Sequence, residues 1–155
     1  MRLRLFSRRF TRFSVILLLL AASTVQTIAA NLKLEAKLIW GTDDAKSPNP
    51  QHKEVDAATK DKLRKVFKWK NYFVVNRVTK PVPSRGSNRF ELSKECTIEI
   101  KELEGPRVEV KLIGKGKEVH KTTLNIEKGQ SVVYSGDDAN QSAWFVIITE
   151  LEDKQ

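Results

Sequence analysis

The amino-acid sequence predicts a mainly β protein, an antiparallel β-sandwich or barrel of about eight strands with one short helix. Short segments alternate between apolar and polar residues with a period of two, which is typical of strands with one buried face. Turns rich in Gly, Pro, Asn and Asp separate these segments at regular spacing. After residue 30, a single segment has the spacing of an amphipathic helix.

The first 30 residues have the charged, apolar and small-residue order of a secretory signal peptide. Residues 15–22 form an unbroken apolar run of eight residues, whereas a membrane-spanning helix needs about 20. Small residues follow at Ala29 and Ala30, so we expect cleavage after one of them and a mature protein in the periplasm or outside the cell. A leader retained as a membrane anchor is the alternative.

The leader also determines what the net charge means. The whole chain has 28 basic and 19 acidic residues, a net charge of +9. Five of the basic residues and none of the acidic ones lie in residues 1–30, which leaves 23 basic against 19 acidic residues, or +4. Such a charge is ordinary for a small domain, so the sequence does not indicate a nucleic-acid partner.

The first half of the remaining chain contains a strand, a loop and the helix. In residues 32–40, apolar side chains alternate with lysine and glutamate, which predicts a half-buried strand. The turn-forming residues from Gly41 to Val55 predict a long surface loop. Asp56 is placed to cap a helix that runs to about Phe67. The predicted inner face of this helix carries Thr59, Leu63, Val66 and Phe67.

The second half consists of strands joined by polar turns. Residues 68–80 predict a strand partly buried on both faces. Further strands are predicted at residues 88–92, 96–101, 107–112, 118–126, 131–134 and 142–151. Charged residues at alternate positions from Glu99 to Lys121 predict one solvated face, and the last strand, apolar on both faces, is predicted to be central. Because no linker interrupts the chain, we predict a single domain over residues 31–155.

Two acidic loops have similar sequences. They contain the pairs Asp43–Asp44 and Asp137–Asp138. If the loops met, four carboxylates would approach the set of about six to eight oxygen ligands that calcium takes. Asp, Asn and Gly are also ordinary turn residues, and we favour that interpretation. The sequence indicates no other metal site and no cofactor, and the single cysteine, Cys96, has no partner for an internal disulfide.

The sequence carries no recognisable catalytic motif. It contains neither Gly-x-Ser-x-Gly nor His-Glu-x-x-His, and its two histidines, His52 and His120, lie far apart without ligand spacing. We therefore expect a protein that is not an enzyme. A hydrolase whose site is assembled only in the fold is the least favoured alternative.

A basic segment ends in aromatic residues and is the predicted binding surface. Lysines interleaved with aromatic rings favour an acidic polymer. The residues predicted to bind are Lys62, Lys65, Lys68, Trp69 and Tyr72. The same residues also fit a solvated helix face followed by a core strand, and we favour that interpretation.

Four segments together resemble small, uncharacterised exported β-rich proteins of environmental bacteria of the Verrucomicrobia kind. They are residues 34–44, 67–73, 108–117 and 143–148. The resemblance covers nearly the whole chain after the leader. It implies export and a β-rich fold but brings no activity, ligand or catalytic residue.

These observations favour a non-catalytic binding or interaction module of the cell envelope, whose partner is an envelope protein or an anionic envelope polymer. Binding residues on β scaffolds lie mostly in loops, here residues 41–55, 81–86 and 135–141. A structural subunit of an envelope or secretion assembly, paired through an exposed strand edge, is the alternative. We expect Trp40, Trp69 and Trp144 to pack in the core.

Overall fold

The computed structural model describes residues 31–152, so the predicted signal peptide lies outside the described residues. These residues form nine strands and one α-helix in the order of the chain. Their bounds are β1 Leu32–Thr42, β2 Lys53–Glu54, α1 Ala57–Val66, β3 Asn71–Val82, β4 Ser87–Glu91, β5 Cys96–Glu104, β6 Arg107–Gly114, β7 Lys117–Asn125, β8 Ser131–Asp137 and β9 Ala143–Glu150.

Two antiparallel sheets form a sandwich, which confirms the predicted fold class. The five-stranded sheet has the order β2-β3-β1-β9-β8, and the four-stranded sheet has the order β4-β5-β6-β7. β9 lies between β1 and β8, as its apolar faces predict. The sandwich core contains side chains from both sheets, among them Leu34, Leu38, Phe90, Ile100, Val110 and Ile148. Period-two alternation places these residues on the facing surfaces.

A second hydrophobic core lies on the other face of the five-stranded sheet, where α1 covers it. Ile39, Tyr72, Phe145 and Ile147 project from the sheet towards Leu63 of the helix. The Asp56 carboxylate caps α1 by accepting a hydrogen bond of 2.8 Å from the Thr59 N–H, as predicted. The described chain therefore has three layers: a helix, a five-stranded sheet and a four-stranded sheet. None of the helices formed by residues 31–152 has the length and apolar character needed to cross a membrane.

Three local predictions need correction. The loop predicted from Gly41 to Val55 is shorter, because β1 continues to Thr42 and residues 53–54 pair with β3 as β2. The strand predicted to end at Lys80 continues to Val82, which is fully buried. Val66, predicted on the inner face of α1, is 74% exposed. Helix α1 ends at Val66, and Phe67 is in extended backbone and packs against Phe145 instead.

Candidate ligand-binding cleft

Two tryptophans lie side by side at one end of the sandwich. Trp40 on β1 and Trp144 on β9 are directly opposite each other in the antiparallel register, so both side chains leave the sheet on the same face. Both are half-buried, whereas Trp69 is 7% exposed and belongs to the core beneath α1. All three tryptophans were predicted to pack in the core, but only Trp69 is fully within it.

The opposing sheet explains why these rings are accessible. Leu34, Ala36 and Leu38 precede Trp40 on the same face of β1, and all three are buried in the sandwich core. The core ends at Leu38 on β1 and at Val146 on β9, so the next pair along these strands, Trp40 and Trp144, lies at its margin. Alternation fixes the face of each tryptophan, but the end of the facing sheet decides its exposure.

A cavity of about 570 Å³ has these two rings in its lining and is called here the tryptophan cavity. Its size falls within the range of roughly 300–1,000 Å³ that is usual for small-ligand sites. The apolar part of its lining comes from Leu38, Trp40, Val75 and Trp144. Its polar side chains come from two loops and include Asp44, Lys46, Ser47, His52, Asp138 and Asn140.

The loop of residues 43–52 is tied to the sheet by hydrogen bonds. The Asn71 side-chain amide donates to the Asp44 carbonyl at 2.9 Å, and the Lys70 N–H donates to the Asp43 carboxylate at 3.1 Å. Within the loop, Ser47 Oγ and His52 Nδ1 are hydrogen-bonded at 2.8 Å. These contacts hold one wall of the cavity in place before any ligand arrives.

The other wall is a short 3-10 turn, Ala139–Gln141, which a side chain of the hydrophobic core beneath α1 holds in place. Asn140 and Gln141 both have positive φ, 59° and 58°, a conformation that costs non-glycine residues roughly 1–2 kcal/mol each. The indole N–H of Trp69 donates to the Gln141 carbonyl at 2.7 Å. This hydrogen bond from a core side chain stabilises the strained turn, whose Asn140 lines the cavity.

A glycine makes room for the Trp144 ring. A Cβ atom at Gly136 on β8 would overlap the six-membered ring of Trp144, which therefore lies directly against the β8 backbone. Only glycine permits that approach. The position of the Trp144 ring thus depends on Gly136.

A second cavity, of about 320 Å³, adjoins the first and is called the cysteine cavity. Leu38, Asp138 and Trp144 line both cavities, so the two lie side by side, and together they are called the cleft. Cys96 and Lys115 lie in the far part. Burial raises the pKa of the Cys96 thiol, which keeps it in the weakly reactive thiol form at neutral pH.

The two acidic loops approach the same cleft. Asp44 and Asp138 both line the tryptophan cavity, whereas Asp43 binds the Lys70 N–H and Asp137 lines the cysteine cavity. One Asp138 oxygen accepts from the Ala139 N–H at 2.8 Å. Within residues 31–152, no three His, Cys, Asp or Glu side chains cluster closely enough to hold a metal ion. Both loops contribute polar side chains to the rim of the cleft.

The structure separates the lysines of the predicted binding surface from its aromatic rings. Lys62, Lys65 and Lys68 are exposed, but Trp69 is 7% exposed and Tyr72 is fully buried. Both rings pack edge-on against Phe145 in the core beneath α1. The Lys68 ammonium lies 5.1 Å from the Trp69 ring centre. Only the lysines of this set are available to an external ligand, and their binding of an acidic polymer stays a prediction.

The histidines lie at different sites. His52 lines the tryptophan cavity, and His120 is on β7, where its ring lies 5.4 Å from the Tyr134 ring on β8.

The sequence did not identify Trp40 and Trp144 as site residues. One signal was present in the sequence: each tryptophan is near the end of its strand, next to one of the polar loops.

No family model matches this chain, and neither the curated proteins nor the solved structures include one with significant similarity to it.

Proposed function

We propose that this protein is an exported, non-catalytic binding domain of the cell envelope and that it holds its ligand in the tryptophan cavity. One observation carries the proposal: two half-buried tryptophans on adjacent strands share one open cavity whose rim is polar. Indole rings supply large rigid contact surfaces with a polar N–H edge, which suits them to ligand contact. An apolar floor with few polar groups is the usual form of a ligand site.

The two walls of the cavity are preformed, which supports binding. Hydrogen bonds to Asn71 and Lys70 fix one loop, and the Trp69 indole fixes the other. A preorganised site loses little conformational entropy when a ligand arrives, so more of the contact energy remains as affinity.

The indole N–H signals in two-dimensional ¹H–¹⁵N NMR spectra test this proposal. The chain has three tryptophans, and single Trp→Phe variants would assign their signals. The probes are neutral oligosaccharides, a proline-rich peptide, a saturated fatty acid and polyphosphate. We expect at least one probe to shift the Trp40 and Trp144 signals and leave Trp69, which is bonded to Gln141, unchanged. Failure of every probe to shift these two signals would refute the proposal.

Export is tested separately with the full chain. Expression in a bacterium with two membranes, followed by fractionation and mass spectrometry, should give an envelope or secreted protein that begins at Ala30 or Asn31. A protein that keeps residues 1–30 in the cytoplasm would contradict export without affecting the cleft.

A structural role in an envelope assembly is the second candidate, and one observation favours it. β8 is an outer strand of the five-stranded sheet, has no Lys, Arg or Pro and one charged residue, Asp137 at its end, and exposes 40% of Val133. Charges and prolines normally protect such edges from pairing. If β8 pairs with another chain, Val133→Lys should abolish the assembly measured by light scattering, and a protein that stays monomeric at all concentrations and with envelope extract would argue against this role.

A further inference from the structure

The chemistry of the cleft floor selects ligands with flat apolar faces. Trp40 and Trp144 project from adjacent strands into the same cavity, and Val75 and Leu38 continue its apolar surface. Ligands that stack on indole rings are planar or have a planar face of C–H groups. Such a face is present in pyranose sugars with equatorial hydroxyls, because the hydroxyls lie at the ring edge and leave both faces apolar.

The rim selects against polyanions. Its ionic side chains are two carboxylates, Asp44 and Asp138, and one ammonium group, Lys46. Among the described residues, the hydrogen bonds of Asp44 are made by its main chain, so the carboxylate is available to a ligand. Polyanionic ligands would meet two like charges here, which is unfavourable in a partly desolvated cleft.

The same rim favours hydroxyl groups over the carbonyl groups of a proline-rich peptide. Carboxylates only accept hydrogen bonds, whereas Asn140 both donates and accepts. A sugar hydroxyl donates to a carboxylate and accepts from an amide or ammonium group at the same time. A proline-rich peptide offers mainly carbonyl acceptors, which Asp44 and Asp138 cannot bind.

The cleft is longer than one sugar ring requires. Trp144, Leu38 and Asp138 connect the tryptophan cavity to the cysteine cavity, where further polar side chains at Glu95 and Lys115 line the path to Cys96. Linked sugar rings combine an extended shape with the apolar faces and the hydroxyl groups that the floor and the rim favour.

From these observations we infer that the cleft binds a neutral oligosaccharide of equatorially substituted pyranose rings, with one ring stacked on Trp40, the next at Trp144 and a third reaching towards Cys96. This inference rests on the proposed binding function and names its ligand class. Asp44 and Asp138, one carboxylate from each acidic loop, serve as hydroxyl acceptors.

Cellotriose is the probe, and the protein purified after expression of the full chain is titrated with it. We expect cellotriose to shift the Trp40 and Trp144 indole signals and to slow the modification of Cys96 by N-ethylmaleimide several-fold. Cellobiose should shift the indole signals and protect Cys96 less. If both sugars bind but neither protects Cys96, the extended part of the site is refuted.

Variants connect the binding to named residues. Trp40→Ala and Trp144→Ala should each weaken cellotriose binding by about tenfold or more, because each loses the burial of an aromatic face. Asp44→Asn changes only an exposed carboxylate, so it should weaken binding while the unfolding temperature stays the same. Asp61→Asn, which changes another exposed carboxylate on α1 away from both cavities, is the matched control and should leave binding unchanged.

The outcomes separate this inference from the proposed function. If cellotriose leaves the Trp40 and Trp144 signals unchanged while the proline-rich peptide or the fatty acid shifts them, the sugar inference is refuted and the binding function stands. If no probe shifts them, both are refuted. If polyphosphate binds, Lys65→Ala weakens that binding more than Trp40→Ala does, and no other probe shifts the Trp40 and Trp144 signals, the ligand site is the basic helix and both are refuted.

Discussion

Trp40 and Trp144 differ from their buried neighbours only in what faces them. Leu34, Leu38 and Trp40 occupy one face of β1, and their side chains follow the same period-two rule. The rule predicts the face correctly in each case. It cannot predict exposure, because exposure depends on where the strands of the other sheet end. The sequence therefore located the face of the candidate site but left its two central residues assigned to the core.

Gly136 offers a test of the cleft that leaves both tryptophans in place. In Gly136→Ala the new methyl group would overlap the Trp144 ring and displace it. We expect the Trp144 indole N–H signal to move and the free energy of unfolding to fall by about 1–3 kcal/mol, the usual cost of overpacking. NMR spectra and urea denaturation measure the two effects.

Gly114→Ala is the matched control for this strand glycine. Its Cβ atom would lie 3.3 Å from the side chain of Val119, which is 57% exposed and free to give way. The control should leave the Trp144 signal unchanged. An unchanged Trp144 signal in Gly136→Ala as well would show that the ring does not depend on the glycine.

Tyr72 has a hydroxyl group that the fold does not use. Its side chain is fully buried, and its hydroxyl oxygen has no hydrogen-bond partner among the described residues. Burial raises the pKa of this phenol. Because a buried unpaired hydroxyl costs free energy, Tyr72→Phe should leave the free energy of unfolding unchanged or raise it by up to about 1 kcal/mol.

The ring of Tyr72 should matter much more than its hydroxyl. Its centre lies 5.6 Å from that of Phe145, and Tyr72→Ala should cost about 3–5 kcal/mol, as for other buried aromatic residues. Denaturation curves of the two variants provide the comparison. A clear loss of stability in Tyr72→Phe would mean that the hydroxyl does have a partner.

At the scale of elements, the sequence predicted whether a segment is a helix or a strand better than it predicted where that segment begins and ends. Asp56 marks the start of α1 because capping is a local interaction between a carboxylate and the next turn. The short β2 has two charged residues and no periodicity, so only its pairing with Phe73 and Val74 defines it. Pro81 was expected to end β3, yet it pairs with Lys33 of β1. β2 reaches only Phe73 and Val74, so the far side of β3 at Pro81 has no ladder in the described sheet and needs no N–H donor there.

The cap of α1 should make part of the stability depend on pH. Hydrogen bonds from the backbone N–H and the hydroxyl of Thr59 lower the pKa of Asp56. A carboxyl group whose folded pKa is lowered stabilises the fold above its unfolded pKa, and this contribution is lost as the pH falls through the folded value. Asp56→Ala should therefore cost about 1 kcal/mol at pH 7, and the difference from the native chain should shrink below about pH 4.

Asp56→Asn is the control for this effect, because asparagine also caps helices but does not titrate. It should keep most of the stability at pH 7 and show no decline attributable to residue 56 in acid. Thermal unfolding at several pH values measures all three proteins. A constant gap between Asp56→Ala and the native chain down to pH 2 would contradict the assignment.

At the scale of the whole molecule, the alternation of apolar and polar residues predicted the strands and the solvated face of the four-stranded sheet. It did not predict the choice between sandwich and barrel or the relative position of the two sheets. Glu99, Lys111 and Lys121 indeed lie on the outer face of the four-stranded sheet, and the Lys121 ammonium is 3.0 Å from the Glu109 carboxylate. The choice between sandwich and barrel depends on which strand edges pair, and the offset of the sheets depends on the packing of the whole core. Both are properties of long-range contacts, so no local pattern in the sequence contains them.

The three layers should differ in stability, because α1 is attached by few buried side chains. Leu63 is the one buried residue of the described helix, and ten residues are too few for a stable isolated helix. Leu63→Ala should therefore raise hydrogen exchange in α1 and β2 while the four-stranded sheet stays protected.

Leu112→Ala is the matched control. It removes an equally buried leucine, 3% exposed like Leu63, from the sandwich core. It should lower protection in both sheets and cost about 2–5 kcal/mol of global stability. Equal loss of protection throughout the Leu63→Ala protein would show that the helix folds as one unit with the sandwich.

The hydrogen bond from Trp69 to the Gln141 carbonyl joins the core beneath α1 to the rim of the cleft. If the helix layer opens locally, Leu63→Ala should also loosen the turn of Asn140, so weaker ligand binding with an intact sandwich is the expected functional consequence.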